Sequence, residues 1–170
     1  MLGSDRINRA LMYGGVLIVA ALVQTAWLAR LPVVGAVIDP VLVLAVATGI
    51  LRGAESGAVV GLAGGLLQDL LSGGPLGMHG LSKLVAGFGS GLFERSIYIE
   101  NPFLPAVAAF AGTLLGEALL NVIGVVTGLG SVSWTEAVPR VVIQAGLNSV
   151  IAPPLFRGIR SLDVRFERQH

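Results

Sequence analysis

Apolar residues run through this chain in six blocks, separated by short breaks rich in charge, glycine or proline. The blocks cover residues 10–29, 33–51, 56–71, 78–93, 103–126 and 137–156. Their lengths lie near the roughly 20 residues that one helix needs to cross a hydrocarbon core about 30 Å thick. The breaks are Arg52-Gly53-Ala54-Glu55, Ser72-Gly73-Gly74-Pro75-Leu76-Gly77, the stretch from Glu94-Arg95 to Asn101-Pro102, and a glycine-serine turn over 128–133. Pro32 and Asp39-Pro40 fall at the start of the second block. Proline ends or kinks a helix, so the regular part of that block is expected to begin near Asp39 or Pro40. Trp134 stands where an interfacial anchor belongs. Pro153-Pro154 marks the expected end of the last helix, ahead of a tail with Arg157, Arg160, Arg165 and Arg168. The first block follows Arg6 and Arg9, but it is long for the core of a signal peptide and more blocks follow, so it reads as a retained helix.

The pattern predicts an all-α integral membrane protein, a six-transmembrane-helix bundle. A single domain over residues 1–170 is expected, with no extramembrane domain at either end. Composition agrees: 54% of the 170 residues are hydrophobic and 12% are charged, against roughly 25% charged in ordinary soluble domains. A net charge of +1 lacks the basic surface of a nucleic-acid binder. The absence of cysteine excludes disulfides and cysteine metal sites. Arg6, Arg9, Arg52, Arg95, Arg157, Arg160, Arg165 and Arg168 fall on one side of the expected bundle, with Arg30 on the other. The positive-inside rule then places both termini in the cytoplasm and the Gly73-Gly74-Pro75 turn outside.

Small residues recur every fourth position in the third block, at Gly57, Gly61 and Gly65. They share one helical face, and in lipid such a stripe lets two backbones approach closely. The ionisable residues matter more, because such groups are costly at membrane depth and mark functional sites by default. With a rise of 1.5 Å per residue, Asp69 lies roughly 9 Å, Lys83 about 6 Å and His79 about 12 Å from mid-span, all toward the outer face. Glu117 and Asn121 sit one turn apart in the fifth block, and Arg140, Gln144 and Asn148 form a polar stripe in the sixth. Four helices thus place polar groups in the outer half of the membrane. The expected consequence is a polar cavity lined by Asp69, His79, Lys83, Glu117, Asn121, Arg140 and Gln144. Expected ion pairs are Asp69 with Lys83 and Glu117 with Arg140. Such pairs either hold the bundle together or line a pocket for a ligand or partner.

Catalytic signatures are missing. Ser90, in Gly89-Ser90-Gly91, invites comparison with an intramembrane serine protease, but His79 is about 16 Å away along the same helix, too far for the required hydrogen bond. Phosphate-binding and dinucleotide-binding glycine motifs are absent. No enzyme activity, cofactor or metal is expected.

The motif Leu67-Gln68-Asp69-Leu70-Leu71-Ser72-Gly73-Gly74-Pro75-Leu76-Gly77, with the chain length and six-block layout, resembles the MreD family of rod shape-determining membrane proteins. The match is clearest from Gly57 to Arg95. The second block departs from the family pattern, with Asp39-Pro40 where the family shows Pro-Asp. The resemblance implies a non-enzymatic inner-membrane part of the bacterial cell-elongation machinery that supports peptidoglycan synthesis and cell shape. Its implied partner is MreC. The wider assembly would include RodA, a class B penicillin-binding transpeptidase and MreB filaments. It also implies an architecture similar to the substrate-binding subunits of energy-coupling-factor transporters. The packing and turn motif would comprise Gly57, Gly61, Gly65, Gly73, Gly74, Pro75 and Gly77.

Two functions follow. The first is a scaffold that binds MreC; the second is a small-molecule-binding subunit of a transporter, using the outer cavity. The near-neutral charge of the expected cavity favours internal pairing, and with it the scaffold.

Overall fold

The structure, a computed structural model, describes residues 2–30, 33, 35–92, 103–129 and 133–168, with side chains over 11–30, 33, 35–92, 103–129, 133 and 135–164. Among the described residues six α-helices follow one another: α1 (Leu2–Ala26), α2 (Pro40–Arg52), α3 (Ala54–Ser72), α4 (Met78–Leu92), α5 (Leu104–Thr127) and α6 (Trp134–Arg168). A short 3-10 turn, Leu28–Arg30, follows α1. Among the described residues the only β-type pairing is an isolated bridge between Val33 and Ala36. The architecture is all-helical.

Among the described residues two segments, Leu11–Arg30 and Leu104–Thr127, are long and apolar enough to cross a membrane by length and composition. The second apolar block behaves differently from its neighbours. Its helix begins only at Pro40, because Asp39 caps it: the Leu42 amide donates to Asp39 Oδ1 at 2.8 Å. Proline at the first helical position costs nothing there, since that amide has no partner in a helix anyway. The resulting helix of 13 residues is about 20 Å long, and the chain before it turns at the Val33–Ala36 bridge.

This short helix is the centre of the molecule. Every residue from Val41 to Ile50 is buried, as expected of a helix that is apolar on all sides. It touches each of the other five α-helices. Its outer partners contribute Leu17, Ala21, Leu104, Phe156 and Ile159 to one continuous apolar cluster.

The last helix does not stop at Pro153-Pro154, contrary to the sequence expectation. It runs on to Arg168, with Pro139, Pro153 and Pro154 inside it. Each internal proline forfeits a backbone hydrogen bond. What holds the continuation is packing: Ala152, Phe156 and Ile159 are buried, and Phe156 and Ile159 share the cluster with α1 and α2. Farther along, the Tyr13 hydroxyl donates to Asp163 Oδ2 at 2.9 Å. Arg52 pairs with Asp163 Oδ1 at 3.7 Å and lies 5.4 Å from the centre of the Tyr13 ring. These contacts gather the early part of α1, the end of α2 and the end of α6 at one end of the bundle. The Ser72–Gly77 turn lies at the other.

The glycine stripe on α3 lies against α4. A Cβ added at Gly57, Gly61 or Gly65 would collide with the backbone carbonyls of Gly87, Lys83 and His79 respectively. The two helices form a hairpin in near backbone contact, so the stripe is used within the chain. Its turn depends on backbone freedom at Gly73 (φ 68°) and Gly77 (φ 95°), a region that side chains disfavour. The loop from Glu94 to Pro102, Pro32, and the side chains of Arg6, Arg9, Trp134, Arg165 and Arg168 lie outside the described residues.

Candidate functional site

Asp69 ends the α3 face that meets α4, and its carboxylate organises the turn that follows. Oδ2 accepts from the amides of Gly77 (2.8 Å) and Gly80 (3.4 Å). Oδ1 accepts from the His79 amide (3.3 Å) and from the His79 ring Nδ1–H (2.6 Å). The first amides of α4 have no helical partners of their own, and a negative charge beside them also complements the helix dipole. Asp69 thus caps α4 from the preceding helix. It is 1% exposed, and its partner is His79, in place of the expected Lys83.

Lys83 instead forms an ion pair with Asp39 Oδ2. Both groups are buried, Lys83 at 1% and Asp39 at 3% exposure. The Asp39 amide donates to Asn148 Oδ1 at 2.8 Å, and Asn148 Nδ2 donates to the Thr113 hydroxyl at 3.0 Å. Thr113 in turn donates to the Ala109 carbonyl at 2.7 Å. One chain of polar contacts therefore ties α4, the start of α2, α6 and α5 together in the interior. Nearby, the Ser82 hydroxyl donates to the Gly116 carbonyl at 2.7 Å and joins α4 to α5 directly. A buried pair needs further hydrogen bonds to offset its desolvation, and here the carboxylate has one, from the Leu42 amide to Asp39 Oδ1.

Glu117 accepts from Gln144 Nε2 at 3.0 Å, in place of the expected pair with Arg140, which is exposed. The Ser90 hydroxyl points at the carbonyls of Gly87 (2.8 Å) and Val46 (3.1 Å), so it helps hold α4 on α2.

A polar cavity of about 550 Å³ lies at the end of the bundle where α3 finishes. Of the residues proposed from the sequence, His79, Glu117, Arg140 and Gln144 line it; Asp69, Lys83 and Asn121 do not. Its wall also includes Asp39, Gln68, Gln24 and Thr25. Gln24 and Thr25 are adjacent polar residues inside the first apolar block. Asp39 had shown itself as a helix start. A second, apolar groove of about 340 Å³ separates α4 from α5 and is floored by small residues, among them Ala86, Gly89, Ala108, Ala111 and Gly112.

The sequence matches the family model of rod shape-determining protein MreD over residues 4–162, nearly the whole chain. No curated protein and no solved structure matches it.

Proposed function

This chain belongs to the MreD family of rod shape-determining proteins, and from that premise we propose that it is a non-enzymatic scaffold of the bacterial cell-elongation complex. Membership makes it a membrane protein with a role in cell shape. The finer reading is that its bundle binds the membrane-spanning part of MreC in the inner membrane and so supports peptidoglycan synthesis. RodA, a class B penicillin-binding transpeptidase and MreB filaments would join through the wider assembly.

In this reading all six helices cross the membrane, both termini are cytoplasmic and the Ser72–Gly77 turn faces outward. The short α2 is compatible with a crossing because five helices surround it. Irregular backbone is tolerated at membrane depth where protein covers it. A six-helix bundle with an outward polar cavity is also similar in outline to substrate-binding subunits of energy-coupling-factor transporters, an analogy of fold and not of task.

The observation that carries the scaffold reading is the groove between α4 and α5. The α3 glycine stripe is consumed inside the chain, so it offers a partner nothing. The α4–α5 groove presents small residues on both walls, the surface on which helices pack closely in lipid. A single helix of MreC fits that surface. A photo-crosslinking residue at Ala111 should capture MreC in intact cells, while one at Val150, on an exposed face of α6, should not. Equal capture from both positions, or none from either, would count against this seat.

A further inference from the structure

Two glutamines in the cavity wall carry an inference that goes beyond scaffolding and does not depend on it. Gln24 on α1 is 5% exposed and Gln68 on α3 is 9% exposed. The side-chain oxygen of each is buried without a hydrogen-bond partner among the described residues. Leaving a buried amide oxygen unpaired is costly, and a surrounding bilayer offers no donor. Both side chains line the same cavity of about 550 Å³, which falls among the roughly 300–1,000 Å³ of small-molecule sites.

The charges around that cavity are arranged in a definite way. Asp39 contributes to the wall, but Lys83 neutralises it. His79 is turned toward Asp69. That leaves Glu117 and Arg140 as cavity-lining charges with no ion-pair partner among the described residues. Glu117 is half-buried and steadied by Gln144, whereas Arg140 is exposed. Two glutamine side chains and a carboxylate therefore stand in the wall, with one guanidinium at the rim.

We propose that this cavity binds a zwitterion, whose ammonium group donates to Gln24, Gln68 and Glu117 while its anionic group meets Arg140. An ammonium carries three donors, one for each of the three side chains. A guanidinium is suited to phosphate or carboxylate. Two sources offer this chemistry to a membrane protein: the headgroup of an ethanolamine phospholipid, and a free soluble zwitterion.

Native mass spectrometry of the full chain, stripped of bound molecules, tests the proposal with three probes. They are dioleoylphosphatidylethanolamine, soluble phosphoethanolamine, and dioleoylphosphatidylglycerol, which keeps the phosphate and lacks the ammonium. A one-to-one adduct is expected with an ammonium-bearing probe, at least tenfold tighter than with the glycerol lipid. Binding of both ammonium probes means that the headgroup suffices; binding of the lipid alone makes the membrane the source. The double variant Gln24→Leu/Gln68→Leu should weaken the adduct at least tenfold without lowering the melting temperature, since it removes two unpaired buried oxygens. Glu117→Gln, which keeps an oxygen for Gln144, should weaken it similarly and stands in if the double variant misfolds. Equal binding of all three probes, binding of none (a site for water only), or unchanged binding by both variants would overturn the proposal.

Discussion

Lys83, in the middle of α4, is ion-paired with Asp39, the residue that caps the first turn of α2, and both are buried. One carboxylate therefore does two jobs: Oδ1 starts the central helix and Oδ2 holds α4 against it. Removing one partner of such a pair strands the other charge, which typically costs about 3–5 kcal/mol. Lys83→Met is expected to destabilise by that amount in a thermal melt in detergent. Adding Asp39→Asn should recover most of the loss, because asparagine still caps Leu42. A double variant no more stable than Lys83→Met would show that the pair is not what the mutation disrupts.

Asp69 makes a prediction about the turn. It supplies the acceptors for Gly77, His79 and Gly80, so Asp69→Ala leaves several donors unmet at about 1–3 kcal/mol for each one that stays buried. Hydrogen-exchange mass spectrometry should show faster exchange over residues 73–81 and little change in α5. Unaltered exchange in that peptide would remove Asp69 from its capping role.

The glycines of α3 should differ by what they face. At Gly61 an added Cβ meets the Lys83 backbone, which cannot yield, whereas at Gly64 it meets the side chains of Val41 and Leu17. Gly61→Ala is expected to cost at least the upper part of the usual overpacking range, about 1–3 kcal/mol, and Gly64→Ala less. Gly15→Ala meets nothing within 4 Å and should be neutral or stabilising through helix propensity, by up to about 1 kcal/mol. Melting temperatures of the three variants, measured side by side, check the order.

Asn148 joins the Asp39 amide to Thr113. Asn148→Leu keeps the branching of the side chain but leaves the buried amide unpaired, with an expected loss of at least about 1–3 kcal/mol. Thr113→Val should cost less, since the amide of Asp39 keeps its partner. Similar losses from both would mean that the hydroxyl matters as much as the amide.

Much of the helical order was legible in the sequence, because each of the six apolar blocks overlaps one of the described helices and Asp39-Pro40 announces where α2 begins. The partners of the charges were not. Depth along separate helices groups Asp69 with Lys83, yet their rotation about the helix axes sends Asp69 toward the turn and Lys83 toward α2. Asp39 reads in the sequence as a helix start, which says nothing of the lysine it meets across the bundle. Pro153-Pro154 misled for a different reason: local proline penalties say nothing of the core that Phe156 and Ile159 reach. Gln24 and Gln68 were visible as polar letters, but only the packed structure shows their oxygens buried without partners and both side chains on the wall of one cavity.

If the bundle is the proposed scaffold for MreC, the two should leave the membrane together. The most direct measurement is native mass spectrometry of the chain purified from its own membranes in mild detergent. A stoichiometric complex with MreC is expected, reduced when Ala111→Phe fills the α4–α5 groove. A chain recovered without any protein partner, from membranes that contain MreC, would contradict it.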